Sequence, residues 1–175
     1  MANALTALRM ILILPLVFFV ANGGKGNALF GAIVMIVAIA TDLFDGPVAR
    51  RRGTATPMSG TFDHTVDFFF VTSGLFAGAC RGVFPWSLPI LVTAAFAQYY
   101  IDSHWGRPKF GLRRSKLGRY NGILYFVPTC IDFLIRLGLN FLQPVLTLLV
   151  WGLVVSTLIS MGQRFWFSRI AARMA

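Results

Sequence analysis

Glutamate is absent from this chain and aspartate occurs only six times, so negative charge is scarce. Charged residues of either sign make up 13% of the sequence, where soluble domains carry about a quarter. That scarcity excludes an ordinary water-facing surface. The two cysteines, Cys80 and Cys130, lie in apolar stretches without metal-type spacing, which excludes a disulfide framework and predicts two small buried residues. Internal repeats and low-complexity linkers are absent as well. What remains is 57% hydrophobic with a mean hydropathy of +0.71. The 175 residues have room for about six spans of roughly 20 residues with short loops. The expectation is one all-α integral membrane domain over residues 1–175, with six transmembrane helices and no extramembrane module.

Apolar runs place the spans near 8–21, 28–40, 58–79, 86–105, 120–137 and 141–161. Residues 11–20 have the length of a signal-peptide core, yet only Arg9 precedes them as a charge and no small-x-small site follows, so a retained first span is expected. Arg9 itself reads as an interfacial arginine at a helix start. The net charge of +10 comes from basic residues in the loops, which points to topology and anionic headgroups rather than nucleic acid. Thirteen basic residues fall on one side, from Arg9, Arg50 to Arg52, the run from Arg107 to Arg119, and Arg164, Arg169 and Arg173. Lys25, Arg81 and Arg136 fall on the other. The positive-inside rule then puts both termini in the cytoplasm, in a plasma membrane protein.

Four of the six aspartates stand together in D-L-F-D-G-P-V-A-R-R-R-G-T-A-T-P-M-S-G-T-F-D-H-T-V-D, from Asp42 to Asp67. Asp42 and Asp45 are three apart and Asp63 and Asp67 four apart, so on helices each pair shares one face. Gly46, Pro47, Gly53 and Pro57 should break the helix between them and turn the chain back. The two pairs would then face each other. Four clustered carboxylates would protonate in an apolar protein unless cations neutralise them, and hard oxygen ligands suit magnesium or manganese. Four aspartates suit two such ions, the arrangement that clamps attacking and leaving oxygens in phosphoryl-type displacement.

The same residues resemble the signature of the CDP-alcohol phosphatidyltransferases, D-x2-D-G-x2-A-R-x8-G-x3-D-x3-D. Asp42, Asp45, Gly46, Ala49, Arg50, Asp63 and Asp67 fall in register, and Ser59 stands where the signature has its second glycine. The resemblance implies a phospholipid synthase that moves the phosphatidyl group of CDP-diacylglycerol to a small polyol or polyol phosphate and releases CMP. It implies two metal ions, with Asp42 and Asp63 touching both, Asp45 one and Asp67 the other. Asp67 would also be the catalytic base. Gly46, Ala49, Arg50 and Thr56 would contact the CDP-lipid, and the site would face the cytoplasm. The stretch N-A-L-T-A-L-R at Asn3 to Arg9 resembles the family's N-terminal segment beside the nucleotide, adding Leu5, Thr6 and Leu8 as CDP-lipid contacts. A homodimer is implied too.

The second chemically loaded stretch, Trp105 to Gly122, carries Arg113, Arg114, Lys116 and Arg119 into the fifth span. Most of its charge sets topology, but a basic pocket there suits a phosphate on the acceptor alcohol. Frequency within the family puts glycerol 3-phosphate first among the expected acceptors and inositol or its phosphate second; Asp102-Ser103-His104-Trp105 reads first as a satisfied group at a span end, and it also resembles a stretch of inositol-lipid synthases. His64 falls off the aspartate face. Asp132 and Arg136, four apart, predict a helix-internal ion pair or a dimer contact. The run from Phe68 to Phe70 is expected to face lipid or core. A membrane cation transporter is the alternative of another class, although transporters place ionisable groups near the midplane, and here they lie at one boundary.

Overall fold

The computed structural model describes residues 2–51, 57–105 and 116–173, with side chains described at 7–41, 64–101, 118 and 120–166. Among them every regular element is helical. These elements are α1 (Ala2–Ala21), α2 (Lys25–Arg51), α3 (Pro57–Cys80), α4 (Ser87–Trp105), α5 (Lys116–Leu124), α6 (Val127–Leu137) and α7 (Gln143–Arg173), with a 3-10 turn over Asn140–Leu142.

The all-α expectation holds among the described residues, but the expected six spans differ from what is seen in three respects. The expected fifth span is divided, because Pro128 has no N–H to give and its ring crowds the carbonyl one turn back. Around that gap the bonding tightens: Phe126 donates to the Ile123 carbonyl at 3.4 Å, and regular bonding resumes when Cys130 donates to Phe126 at 3.3 Å. Second, Gly46 and Pro47 do not end α2, which continues to Arg51. Third, α7 is 31 residues long and extends well past Met161. Among the described residues, 140–166 form the one helical stretch long and apolar enough to cross a membrane, with a mean hydropathy of 2.1; Ala7–Ala21, Lys25–Thr41 and Ser87–Ile101 are shorter apolar helices.

Two apolar cores share α3. Leu16 and Val20 of α1, Ala28, Met35 and Ala38 of α2, Phe70 and Ala77 of α3 and Phe133 of α6 form one. Val71 and Leu75 of α3 join Phe84, Leu88 and Val92 of the α4 region to Leu146, Val150 and Leu153 of α7 in the other. Alternate faces of one helix therefore anchor both halves. At Gly31 an added Cβ would stand 2.4 Å from the Phe133 ring, so α2 and α6 cross where no side chain fits. The outward faces are apolar too: Leu14 is 76% exposed and Leu148 78%, among many others. These helices therefore carry apolar residues on outward as well as inward faces.

The far end of α1 is tied by charge. Its last carbonyls lack intrahelical donors and carry the negative end of the helix dipole. Arg81 donates to the Val20 carbonyl at 2.7 Å, and Arg136 donates to Phe19 at 2.9 Å and to Gly24 at 3.2 Å. Asp132, buried, accepts from Arg81 and lies 3.7 Å from Arg136. The expected pair between Asp132 and Arg136 is present and includes Arg81, which sequence reading had assigned only to topology. The cysteines depart from expectation in part: both are free, but Cys80 is exposed and Cys130 half-buried. Cys80 is the last residue of α3, where the helix leaves the core.

Candidate active site

Chain direction gathers the aspartate-bearing segments of α2 and α3 at one end. α1 and α3 run parallel, since Arg9 meets Asp67 at one end and Val20 meets Arg81 at the other. α2 runs back between them in sequence, so its last turns, which carry Asp42 and Asp45, arrive at the end where α3 begins with Asp63 and Asp67. Asp42, Asp45, Gly46, Ala49 and Arg50 are helical in α2, Asp63 in α3, Leu5 and Thr6 in α1, and Lys116 and Arg119 in α5. The side chains of these residues lie outside the described set, as do Thr56, Arg113 and Arg114 entirely. Leu8 is exposed on α1, on the face away from the bundle.

Asp67 is the aspartate of this set whose side chain is described, and it is 20% exposed. It accepts a hydrogen bond and an ion pair from the Arg9 guanidinium, itself only 1% exposed. Arg9 is therefore not interfacial. It stands on the inward stripe of α1, seven residues before Leu16 and eleven before Val20, and that stripe packs on α3. A guanidinium on a core-facing stripe requires an anion, and this was the sequence signal available for it. His64 is exposed, in keeping with a position off the aspartate face. The phenylalanine run divides as expected: Phe69 is exposed, Phe70 fully buried, and Phe68 stacks on Phe96 with centroids 3.8 Å apart.

That stack fixes the level of α4 against the aspartate end. Three residues beyond Phe96, the Tyr99 ring lies beneath the Arg164 guanidinium of α7 at 5.3 Å. The first turn of α5 closes on the same group: a Cβ at Gly118 would stand 3.0 Å from Arg164 Nη2 and 3.1 Å from Ser160 Oγ. A side chain at 118 would make Arg164 and Ser160 give way by a few tenths of an ångström. One turn further, Ser156 donates to Asn121 at 2.6 Å, and the Tyr125 and Thr157 hydroxyls share a bond of 2.7 Å. Asn121 Nδ2 and Gln98 Oε1 are buried polar atoms lacking a hydrogen-bond partner in this same region. Arg164, Asn121 and Gln98 were missed from sequence, being scattered over three helices with no local pattern to join them.

The donor set fits hard divalent ions by its chemistry. Asp67 offers carboxylate oxygen on a helix face shared, by spacing, with Asp63, and it is exposed enough to be reached. Among the described residues no group of three or more metal-ligating side chains occurs, three of the four aspartate side chains lying outside them.

Residues 1–158 match the description of CDP-alcohol phosphatidyltransferase, from α1 into α7 and across the whole aspartate stretch. The chain belongs to the CDP-alcohol phosphatidyltransferase family. Members of this family are transferases. Two curated relatives from Mycobacterium tuberculosis, of strains CDC 1551 / Oshkosh and ATCC 25618 / H37Rv, bear the name probable phosphatidylglycerophosphate synthase. Each is 28% identical over 95 residues, covering 53% of this chain and 46% of the relative. The chain thus aligns with about half the length of the curated relatives it matches. The CDP-alcohol phosphatidyltransferase match ends before Arg164, so that arginine belongs to the part of α7 beyond it.

Proposed function

We propose that this protein is a membrane-embedded phospholipid synthase transferring the phosphatidyl group of CDP-diacylglycerol to the hydroxyl of a small polyol or polyol phosphate, glycerol 3-phosphate first, with release of CMP. The observation that carries the reading is Asp67: a half-buried carboxylate on the first turns of α3, one turn from Asp63, at the end where α2 brings Asp42 and Asp45. The names of the two relatives support glycerol phosphate as the acceptor.

In this reading Asp42, Asp45, Asp63 and Asp67 hold two magnesium or manganese ions. Bound there, the ions would screen the donor pyrophosphate and the charge developing on the leaving phosphate. Gly46 and Ala49, one helical turn apart, give the nucleotide a small-residue face to approach. Arg50 bridges a phosphate, Thr56 offers its hydroxyl, and Leu5, Thr6 and Leu8 flank the CDP-lipid. Arg113, Arg114, Lys116 and Arg119 receive the acceptor phosphate, and Arg164 joins them because its guanidinium stands at the same end, against α5. Asp67 takes the proton of the acceptor hydroxyl; the oxygen bonds to the lipid-side phosphorus as the bond to CMP breaks, and CMP leaves with that electron pair.

The helices insert in the plasma membrane, with the aspartate end at the cytoplasmic face, as a homodimer. A cation transporter is disfavoured because Asp67 lies within the unbroken helix α3, whereas transporter ion sites sit at broken helices. The test is CMP release by purified protein with CDP-diacylglycerol and magnesium, in parallel with glycerol 3-phosphate, glycerol, inositol, inositol phosphate and serine. One acceptor should drive metal-dependent release that Asp67→Asn abolishes by at least about 10²-fold, the lower range for losing a general base. Absence of release with every acceptor overturns the reading, and release with inositol alone moves the acceptor to the inositol class.

A further inference from the structure

The pair between Arg9 and Asp67 joins a residue outside the aspartate signature to the residue proposed as base. Two roles compete for such a pair. A purely structural tie between α1 and α3 needs only opposite charge and burial. The burial here is lopsided: the guanidinium is 1% exposed and the carboxylate 20%, so the arginine is fixed in the core while its partner stays open to the site. Arg9 also stands on the inward stripe of α1, which continues through Leu16 and Val20 in the core. A planar guanidinium held in this way offers its N–H groups in one fixed plane, which an ammonium on a flexible stem does not do.

The contact is made to one oxygen. Arg9 Nη1 donates to Asp67 Oδ1, which restricts the side-chain rotamer and leaves Oδ2 outside this contact. A general base has to sit within about 2.6–3.2 Å of the proton it removes, and an aspartate left to rotate would spend much of its time elsewhere. We propose that Arg9 is a positioning residue that holds Asp67 through Oδ1 and so assigns proton acceptance to Oδ2. The inference rests on the synthase reading, in which Asp67 meets the acceptor hydroxyl. No described side chain other than Arg9 is seen holding Asp67, so the assignment turns on this one contact among the described residues.

The test uses full-length protein in detergent with CDP-diacylglycerol, magnesium and whichever acceptor the wild type accepts. Arg9→Met and Arg9→Lys are compared with wild type and with Asp67→Asn for kcat, for the KM of CDP-diacylglycerol, for CDP binding by calorimetry and for melting temperature. Misplacing a reacting group by about 1 Å costs on the order of 10²-fold, so Arg9→Met should lose about that factor in kcat while KM and CDP affinity stay within about threefold. Arg9→Lys keeps the charge without the planar fork and should fall about tenfold. If Arg9→Met does not fold, Arg9→Lys decides the matter. Wild-type kcat in Arg9→Lys, kcat within about threefold in Arg9→Met, or parallel loss of kcat and CDP binding each overturns the proposal. Those results leave the synthase reading standing as long as Asp67→Asn is inactive, whereas a wild type that releases no CMP overturns both.

Discussion

Asp132 serves two guanidinium groups at once, and Arg81 and Arg136 in turn hold the last carbonyls of α1. All three side chains are largely buried, so the value of the carboxylate is best judged by what its loss leaves behind. Two cations would then face each other and a set of carbonyls with no anion between them. Removing one partner of a buried pair costs about 3–5 kcal/mol, much of it from the charge left uncompensated. Asp132→Asn should therefore lower the thermal midpoint in detergent by several degrees, followed by tryptophan fluorescence. An unchanged midpoint would show that the α1 carbonyls alone satisfy both arginines. At this scale the sequence was legible for local partners and opaque for distant ones. Arg136 was found from its spacing to Asp132, but Arg81 and Arg9 reach across 51 and 58 residues to their aspartates, and no local pattern records that.

At the scale of elements, apolar runs located every helix that spans the bundle, because hydrophobic length is a one-dimensional property. Breaks were less legible. Proline was expected to end α2 at Pro47, and it divided the fifth span at Pro128 instead. Pro15 likewise stands inside α1 without ending it, so a long apolar helix can carry a missing hydrogen bond, and composition alone does not reveal which proline divides a span. The aspartate pairs could be proposed from sequence because the helical period relates residues three and four apart, while the polar set on α4, α5 and α7 emerges only when those helices meet. The crossing of α2 and α6 at Gly31 gives a direct check. Gly31→Val places branched carbons where a Cβ already stands 2.4 Å from the buried Phe133 ring, and overpacking of this kind costs about 1–3 kcal/mol. Gly23, with nothing within 4 Å, is the control: Gly23→Val should leave the melting midpoint unchanged while Gly31→Val lowers it.

For the whole molecule, charge asymmetry argues orientation. Of the three basic residues assigned to the minor side, Arg81 and Arg136 bond Asp132 and backbone carbonyls, and Lys25 is exposed. The positive-inside expectation counts all three whatever their partners, and it stays at thirteen basic residues against three. Cys80 lies beside Arg81 at that end and is exposed. A membrane-impermeant maleimide added to intact cells should label the protein, and Cys80→Ser should abolish the labelling. Labelling that requires the cells to be opened would invert the proposed topology.

The spacing of charge along α3 sets one more relation. From Asp67, ten residues inside the helix, to Arg81, just past its end, are fourteen residues, about 21 Å of helical rise, whereas the hydrocarbon of a typical bilayer is about 30 Å thick. The two charged positions are closer together than two headgroup planes would be. In the synthase reading a donor phosphate therefore has to descend below its own headgroup level to meet Asp67.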